Sequence, residues 1–420
     1  MEKMIILKVD RPVSDSPART PVATGAGLGV RGARPTRGSS GGDGLETLAD
    51  MKMETAELND REQSELSRDP NVAASSRAMP IKLIQPTARS DDPQPAADGD
   101  AAPTWGVAAT GATSENFIGI GTKVAVLDTG IDKEHPAFAG IPIQDDVNYR
   151  DFTGEGFNDD DGHGTHCAGT IFGRDVDGHR IGVAKGVSEI LIGKVLGVNG
   201  GDTAALVHAL DWAIANQANI ISMSLGYDVP GLVQSVIERT GLNQQAAFGF
   251  GLTVFHQNLE VFNAMMAKIE AIAAIPGFGE GAIVTAASGN ESNAGQDARH
   301  RLPASLPSAS KGVISVGALR EADNDRFAVA DFSNGDVRIA APGVNVLSAR
   351  SGGGLVAWDG TSMATPHVAG LLARLYQKQK QNGDAALTDR VIAELIATAD
   401  PSRIDANAQT EYGAGIAQSP

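Results

Sequence analysis

The stretch Asp359-Gly360-Thr361-Ser362-Met363-Ala364-Thr365-Pro366-His367-Val368-Ala369-Gly370 leads from a Gly-Thr-Ser turn into an apolar run. This run, residues 363–376, predicts a helix, with Pro366 in its first turn, where a missing N–H costs nothing. Ser362 would then project from a helix N-terminus, whose N–H groups favour negative charge nearby. Such a serine is either an ordinary helix cap or a nucleophile. A nucleophile requires a base, an orienting carboxylate and an oxyanion donor elsewhere in the chain.

Composition and charge limit the classes of function. The 420 residues suit one large α/β domain together with a smaller one. The net charge of −17 disfavours nucleic acid and anionic membrane as partners. Cys167 is the single cysteine, which excludes an intramolecular disulfide. No stretch has the length of a transmembrane helix. The apolar run before Lys8 is too short for a signal peptide, so we expect a protein that stays inside the cell or leaves by another route.

Residues 1–84 predict a small α+β unit. A strand at its start is followed by a flexible Gly- and Arg-rich insertion, at about residues 11–44, without large apolar side chains. Asn59 and Glu62 form the pattern of a helix capping box. The last part of the unit predicts one or two strands, broken at Pro80.

The main body, residues 105–420, follows a linker at residues 85–104 that is rich in Pro, Ala and Asp. Strands are predicted at residues 122–127, 189–195, 220–224, 283–287 and 312–316, with a helix at residues 203–215 capped by Asp202. This alternation predicts an α/β fold, with a mostly parallel central sheet and helices on both faces. Reactive groups collect at the carboxyl ends of the strands of such sheets. Asp128, Ser224 and Asn290 fall at or just past these ends.

A base and an orienting carboxylate for Ser362 can be found in the chain. Of eight histidines, His163 and His166 begin one helical stretch and His367 follows Ser362. Asp128 ends a predicted strand. Each residue alone also fits a structural role, as a core histidine or a loop-capping carboxylate. Their joint occurrence favours a serine hydrolase.

At the level of motifs the chain resembles the subtilisin-like serine proteases, the subtilase family. The motifs that match are Val126-Leu127-Asp128-Thr129-Gly130-Ile131-Asp132, His163-Gly164-Thr165-His166-Cys167-Ala168-Gly169, Gly360-Thr361-Ser362-Met363-Ala364-Thr365-Pro366 and Ala286-Ala287-Ser288-Gly289-Asn290. The first three are the catalytic motifs of the family, in its Asp, His, Ser order, and the fourth carries its oxyanion-hole asparagine. The resemblance covers about three-quarters of the chain and implies the subtilisin-like fold for residues 105–420.

The resemblance implies a role for each matched residue. Ser362 would be the nucleophile, and His163 the general base and then the general acid. Asp128 would orient His163, and Asn290 would stabilise the oxyanion together with the backbone N–H of Ser362. No cofactor is then required for the chemistry.

The other polar residues of these motifs are expected to be structural. His166 and His367 would support the fold, and Cys167 would be a buried thiol behind the base. A hydrolase that uses Cys167 as its nucleophile is the alternative.

Substrates of the family lie as an extended strand between two edge segments. The resemblance places these segments at residues 197–201 and 224–226, and the wall of the S1 pocket at residues 287–289. The substrate-binding residues expected from it are Gly197, Gly200, Ser224, Leu225, Gly226, Ala287, Ser288 and Gly289. Small, uncharged walls predict broad specificity with apolar P1 side chains.

The unit at residues 1–84 resembles the inhibitory propeptide of the family. The chain would then be a zymogen that is inhibited by its own N-terminal unit and cuts within or beside residues 85–104. We expect a monomer that acts on polypeptides.

Calcium is common in the family, and one ligand is usually a carboxylate directly after the His-Pro pair. Ala137 follows His135-Pro136 here, which argues against that site. The acidic residues at 159–161, with Asp175 and Asp177, are either cation ligands or solvated loop carboxylates.

One further alternative depends on the segment at residues 227–260, which is longer than the family core requires and could be a lid or a partner surface. A lid that excludes water would favour a transpeptidase or macrocyclase over a hydrolase. A peptide-binding scaffold without activity is the other alternative, and the intact set of catalytic residues argues against it.

Overall fold

A computed structural model describes residues 1–9, 43–90, 101–275, 279–293, 308–383, 387–405 and 411–420. The predicted insertion at residues 11–44 lies almost entirely outside the described residues, as do residues 91–100 of the predicted linker. None of the helices in the described part of the chain is long and apolar enough to cross a membrane.

The N-terminal part forms a sheet of its own. Its elements are β1 (Glu2–Lys8), α1 (Asp43–Ala49), β2 (Lys52–Leu58), α2 (Asp60–Leu66), β3 (Val72–Arg77), β4 (Pro80–Leu83) and β5 (Ala88–Ser90). Strand β1 lies between β2 and β3 and is antiparallel to both. The capping box at Asn59 and Glu62 is present, which confirms the local prediction. The predicted break at Pro80 is confirmed as well, because β4 leaves this sheet and pairs with the main body.

The main body contains the remaining elements. The strands are β6 (Ala102–Pro103), β7 (Lys123–Asp128), β8 (Tyr149–Asp151), β9 (His179–Arg180), β10 (Glu189–Lys194), β11 (Gly201–Asp202), β12 (Ile220–Met223), β13 (Leu225–Tyr227), β14 (Ile283–Ala287), β15 (Val313–Ala322), β16 (Arg326–Val329), β17 (Ile339–Pro342), β18 (Val346–Ala349), β19 (Leu355–Asp359) and β20 (Ile404–Asp405). The helices are α3 (Trp105–Ala109), α4 (His163–Phe172), α5 (Thr203–Ala215), α6 (Val229–Thr240), α7 (Gln244–Ala274), α8 (Thr361–Gln381) and α9 (Leu387–Thr398), with a short 3₁₀ helix at Pro136–Phe138.

The central sheet has the strand order β20-β16-β15-β14-β12-β7-β10-β8, and β17 also pairs with β15. All of these pairs are parallel except β15 with β16. The predicted α/β class with a mostly parallel sheet is therefore confirmed. Its strands are almost continuously buried, as expected for a sheet that is covered on both faces.

The helix after Ser362 differs from the prediction. Helix α8 begins at Thr361 and not at Met363, and Gly360 occupies the N-cap position without a side-chain hydrogen bond. Pro366 is therefore inside the helix, and its predicted place in the first turn is wrong. Because proline has no N–H, the helical bond to the carbonyl four residues earlier, that of Ser362, cannot form.

The long segment at residues 227–260 forms α6 and the first half of α7. Helix α7 packs against β1, β3 and α1 of the N-terminal part, and Asn258 donates to the carbonyl of Arg77 at 3.0 Å. The guanidinium of Arg77 also lies 5.0 Å from the ring centre of Phe250. These contacts join the segment to the N-terminal part of the same chain.

Two buried histidines lie on α4 and α8. His166 on α4 stacks on Trp358 at 4.7 Å, and its Nε2 lies 3.0 Å from the carbonyl oxygen of Val346. On α8, the Nδ1 of His367 lies 2.8 Å from the carbonyl oxygen of Met363. Burial lowers the pKa of His166 to about 3 and that of His367 to about 4.

Because of these two histidines, we expect the folded protein to lose stability in mild acid. Below pH 6.5 the unfolded chain protonates both side chains while the folded chain keeps them neutral. The free energy of unfolding should therefore fall by about 1.4 kcal/mol per pH unit for each histidine until the folded pKa is reached. His367→Gln should remove one of the two contributions. The test is urea unfolding from pH 7.5 to about pH 4.5, in a Ser362→Ala background that prevents self-digestion.

The slopes of the two chains are compared because other groups also titrate. His163, whose pKa is raised, acts in the opposite sense, since its contribution to stability is present at low pH and is lost as pH rises through its folded pKa. Equal slopes with and without His367 would contradict the assignment.

Candidate active site

Asp128 and His163 are in direct contact in the interior of the main body. Asp128 is the last residue of β7, His163 is the first residue of α4, and both side chains are buried. The Nδ1 of His163 lies 2.7 Å from Oδ1 of Asp128. Since a carboxylate only accepts, Nδ1 carries the proton and donates it to Asp128. The Nε2 atom, on the other side of the ring, has no hydrogen-bond partner among the described residues.

This contact requires α4 to begin very close to the end of β7. A Cβ atom built on Gly164 would lie 2.1 Å from the carbonyl oxygen of Gly130, so only glycine fits there. The N–H of Gly164 donates to Oγ1 of Thr129 at 2.9 Å. The two motifs that carry the acid and the base are therefore packed backbone against backbone.

The electrostatics favour the charged form of His163. Burial lowers the pKa of this side chain, but the adjacent Asp128 carboxylate outweighs burial and raises the pKa well above 6.5. Asp128 thereby stabilises the imidazolium that forms when His163 accepts a proton.

Ser362 lies in the first turn of α8 and is fully buried. Its hydroxyl donates to the carbonyl oxygen of Ile84 at 3.0 Å and lies 3.4 Å from that of Ser224. The serine thus faces a peptide carbonyl of the segment that follows β4.

The backbone carbonyl of Ser362, left open by Pro366, receives two side-chain donors. Sγ of Cys167 lies 3.5 Å from this oxygen, and Oγ of Ser224 lies 3.3 Å from it. Burial raises the pKa of Cys167, so the group remains a neutral S–H donor at neutral pH. Cys167 and Ser224 therefore replace the missing helical bond behind the serine. Pro366, four residues after Ser362, is the feature of the sequence that could have indicated these contacts.

Asn290 lies three residues past β14, with its side chain facing the start of α8. Its Oδ1 accepts from both the N–H and the Oγ1 of Thr361, at 2.9 and 2.8 Å. These two donors fix the orientation of the amide, so that Nδ2 points into the cleft. There Nδ2 donates to the carbonyl oxygen of Gln85 at 2.9 Å.

Asp159 is a residue whose place the sequence reading missed. Expected as a solvated carboxylate or a cation ligand, it is buried and accepts hydrogen bonds from Thr129 Oγ1, from the N–H of Gly162, and from both the N–H and the Oγ1 of Thr165. These donors lie next to Asp128 and on both sides of His163. The solvated-loop interpretation of Asp159 is corrected accordingly, and its position four residues before His163 was the available signal.

The positions considered for a calcium site have other contacts in the structure. Ala137 is fully buried, and Phe138 beside it packs on Phe172 with ring centres 5.7 Å apart. The carboxylates of Asp160 and Asp175 face lysines, at 3.5 Å from Lys194 and 3.8 Å from Lys185 respectively. Among the described residues, the grouping of at least three potential His, Cys, Asp or Glu ligands is Asp128 with His163 and Cys167.

The two predicted edge segments lie on either side of a cleft that is occupied by β4 of the same chain. Strand β4 lies between β11 and β13 and is antiparallel to both. Leu225 and Gly226 lie opposite Leu83 and Lys82 in the antiparallel pairing of β13 with β4. On the other wall, Gly201 and not Gly197 faces the strand. Gly197 and Gly200 exchange hydrogen bonds across a tight turn beside it.

Residues 287–289, the predicted wall of the S1 pocket, are held by hydrogen bonds to neighbouring elements of the main body. Ala287 ends β14, Ser288 donates through its N–H to the carbonyl of Val316, and the N–H of Gly289 donates to Oγ1 of Thr361. A cavity of about 380 Å³ adjoins the segment at residues 82–87. Its walls from the main body are Gly226, Tyr227, Asn290 and Glu291.

Beyond Ser362 the occupying segment continues along the other half of the cleft. The N–H of Thr87 donates to the carbonyl of Asp359 at 2.8 Å. Strand β5 then pairs antiparallel with β19, with Ala88 opposite Asp359. A continuous chain therefore passes through the whole cleft.

Comparison with known proteins agrees with this geometry. The model of the subtilase family matches residues 119–415. Subtilisin of Bacillus pumilus is 31% identical over 281 residues, which cover 66% of this chain and 85% of that protein. Subtilisin E of Bacillus subtilis is also 31% identical over 281 residues, which cover 66% of this chain and 61% of that protein. The intracellular serine protease of Paenibacillus polymyxa is 35% identical over 295 residues, with coverages of 66% and 74%. The chain therefore belongs to the subtilase family of serine proteases.

Proposed function

We propose that this protein is a serine endopeptidase that cleaves polypeptides through an acyl-enzyme and is held inactive by its own N-terminal part. The observation that carries the proposal is the contact of the chain in the cleft with both Ser362 and Asn290, because its peptide carbonyls accept from the Ser362 hydroxyl and from the Asn290 amide. The buried Asp128–His163 pair is linked to this serine through Cys167, whose Sγ lies 3.8 Å from Nδ1 of His163 and 3.5 Å from the carbonyl oxygen of Ser362.

In the proposed reaction Ser362 attacks the carbonyl carbon of the bound peptide, and Nε2 of His163 accepts its proton. Asp128 stabilises the resulting imidazolium, which then protonates the departing amine. The negative oxygen of the tetrahedral intermediate is held by Nδ2 of Asn290 and the backbone N–H of Ser362. Water then repeats the sequence on the acyl-enzyme.

The position of the occupying segment supports inhibition. Attack requires one carbonyl group to meet the nucleophile and the oxyanion donor together. Here Ser362 contacts the carbonyl oxygen of Ile84, whereas Asn290 binds that of the next residue, Gln85. The two functions are divided between neighbouring peptide groups, so this segment fills the cleft in an unreactive register.

Pro86 contributes to this register. A proline restricts the preceding residue, here Gln85, to extended conformations. The Gln85–Pro86 bond is also a tertiary amide, and Pro86 has no N–H to donate. We propose that release of the N-terminal unit by self-cleavage is slow for this reason.

The proposed preference for apolar P1 side chains is supported by Ile84. This apolar residue is buried, and its carbonyl oxygen accepts from the Ser362 hydroxyl.

Substitutions of the four groups should separate their roles. With casein or a short peptide as substrate, Ser362→Ala and Asp128→Asn should each lower kcat by about 10⁴-fold or more. Asn290→Ala should lower kcat by about 10²- to 10³-fold, as in subtilisin, with little effect on KM, because its donor acts on the oxyanion. Asn382→Ala, at the exposed far end of the same helix as Ser362, is the matched control and should keep full activity. A wild-type protein that cleaves neither substrate would favour the peptide-binding scaffold.

Intact mass measured over time should reveal the effect of Pro86. We expect the wild-type chain to lose its N-terminal part slowly and the Ser362→Ala chain to stay whole. Pro86→Ala should speed this loss at least several-fold, because the strand can then present one carbonyl to both groups. Pro70→Ala, in an exposed turn of the same unit, controls for general loosening. Equal rates in the wild type and Pro86→Ala would reject the role of Pro86, and cleavage of the Ser362→Ala chain would reject self-processing.

A further inference from the structure

The end of the cleft where β4 begins has an aspartate on each wall, and both meet the same residue. Asp202 of β11 lies opposite Pro80 in the strand pairing. From the other wall, the N–H of Asp228 donates to the carbonyl of Pro80 at 2.8 Å. We refer to Asp202 and Asp228 as the acidic end of the cleft.

Each of these carboxylates faces a lysine of the N-terminal part. Nζ of Lys3 lies 2.8 Å from Oδ2 of Asp202, and Nζ of Lys82 lies 3.4 Å from Oδ1 of Asp228. Lys82 belongs to the strand in the cleft and precedes Ile84 by two residues. Counted from Ile84 as P1, Lys82 occupies the P3 position.

Both aspartates are also helix N-caps, which fixes where their charges lie. Oδ1 of Asp202 accepts from the N–H of Ala205 in α5, and Oδ1 of Asp228 accepts from the N–H of Gly231 in α6. Asparagine caps a helix about as well as aspartate does. Capping alone therefore does not require a negative charge at either position.

The ion pairs that Asp202 and Asp228 form with described residues are those with Lys3 and Lys82 of the N-terminal part. The adjoining cavity beside Lys82 and Leu83 is lined by Asp160, Asp161 and Lys194. The ammonium of Lys194 is buried and donates to the carbonyl of Asn158 at 2.6 Å. When the N-terminal part leaves, Asp202 and Asp228 lose the two lysines they face.

We propose that the acidic end of the cleft selects substrates with cationic side chains, and that Asp228 is the specificity-determining residue for Lys or Arg at P3. The proposal rests on the proposed endopeptidase function. It assigns basic polypeptide segments as the preferred substrate class, with an apolar residue at P1. Asp202 adds to the same negative field from the opposite wall.

The size of the effect follows from the exposure of the pair. The side chain of Lys82 is 49% exposed and that of Asp228 is 28% exposed, so water and salt screen their attraction. An ion pair of this kind is worth about twofold to fivefold in kcat/KM, and the preference should shrink at high ionic strength.

The test uses the processed enzyme and three peptides that share an apolar P1 residue and differ only in Lys, Gln or Glu at P3. We expect kcat/KM to fall in the order Lys, Gln, Glu, with Lys and Gln about twofold to fivefold apart at low salt. Asp228→Asn keeps the helix cap and should remove the difference between the Lys and Gln peptides that the wild type shows. Asp389→Asn, which changes the net charge equally at a distant helix, should leave the order intact.

The outcomes separate the two levels of the proposal. Equal kcat/KM for the three peptides, or a preference that survives Asp228→Asn, would overturn the specificity assignment while leaving the protease activity established. A preference lost equally in Asp389→Asn would assign it to overall charge and would also overturn the role of Asp228. Absence of cleavage of all three peptides and of casein would instead reject the endopeptidase function.

Discussion

The buried hydrogen bond between Asp128 and His163 is the contact on which the rest of this site depends. It holds a carboxylate and an imidazole 2.7 Å apart where solvent does not reach either side chain. Several features of the chain make this close contact possible. The absence of a side chain at Gly164 lets α4 approach the end of β7. Asp159 ties Thr129 to the first turn of α4, so that the strand end and the helix start move together. A buried carboxylate is costly unless several donors satisfy it, and Asp159 has four.

In the proposed zymogen, the cleft would use the same backbone interactions for inhibition as for substrate binding. An extended segment completes a small sheet between β11 and β13, and backbone pairing of this kind is largely indifferent to sequence. What distinguishes an inhibitor from a substrate is then the register of the carbonyls at Ser362. A shift of a single peptide group is enough, because the nucleophile and the oxyanion donor must act on the same carbonyl. Two backbone contacts fix this register, one on each side of Ser362. Lys82 pairs with Gly226, and the N–H of Thr87 donates to the carbonyl of Asp359.

Much of the architecture could be predicted from the sequence because it is encoded locally. Apolar runs bounded by glycine and polar residues marked the strands of the sheet, and the capping box at Asn59 marked α2. The missed features depend on contacts between distant segments. Asp159 looks like a surface carboxylate until Thr129 and Thr165 are brought to it by the fold. The start of α8 was misplaced because Thr361 is held from outside the helix, by Asn290. Likewise, nothing local to residues 82–87 indicates which of their carbonyls will meet Ser362.

The two aspartates at the acidic end of the cleft illustrate how one side chain can serve structure and recognition together. As caps they satisfy N–H groups of α5 and α6, and this role fixes the carboxylates at the two walls. Helix N-termini also favour negative charge nearby, and both carboxylates lie at one. Under the proposed release of the N-terminal part, a charge that is stabilised by the main body itself would remain after Lys3 and Lys82 have left. The same feature that seats the N-terminal part can therefore act on a substrate afterwards, since both present an extended strand to the same two walls.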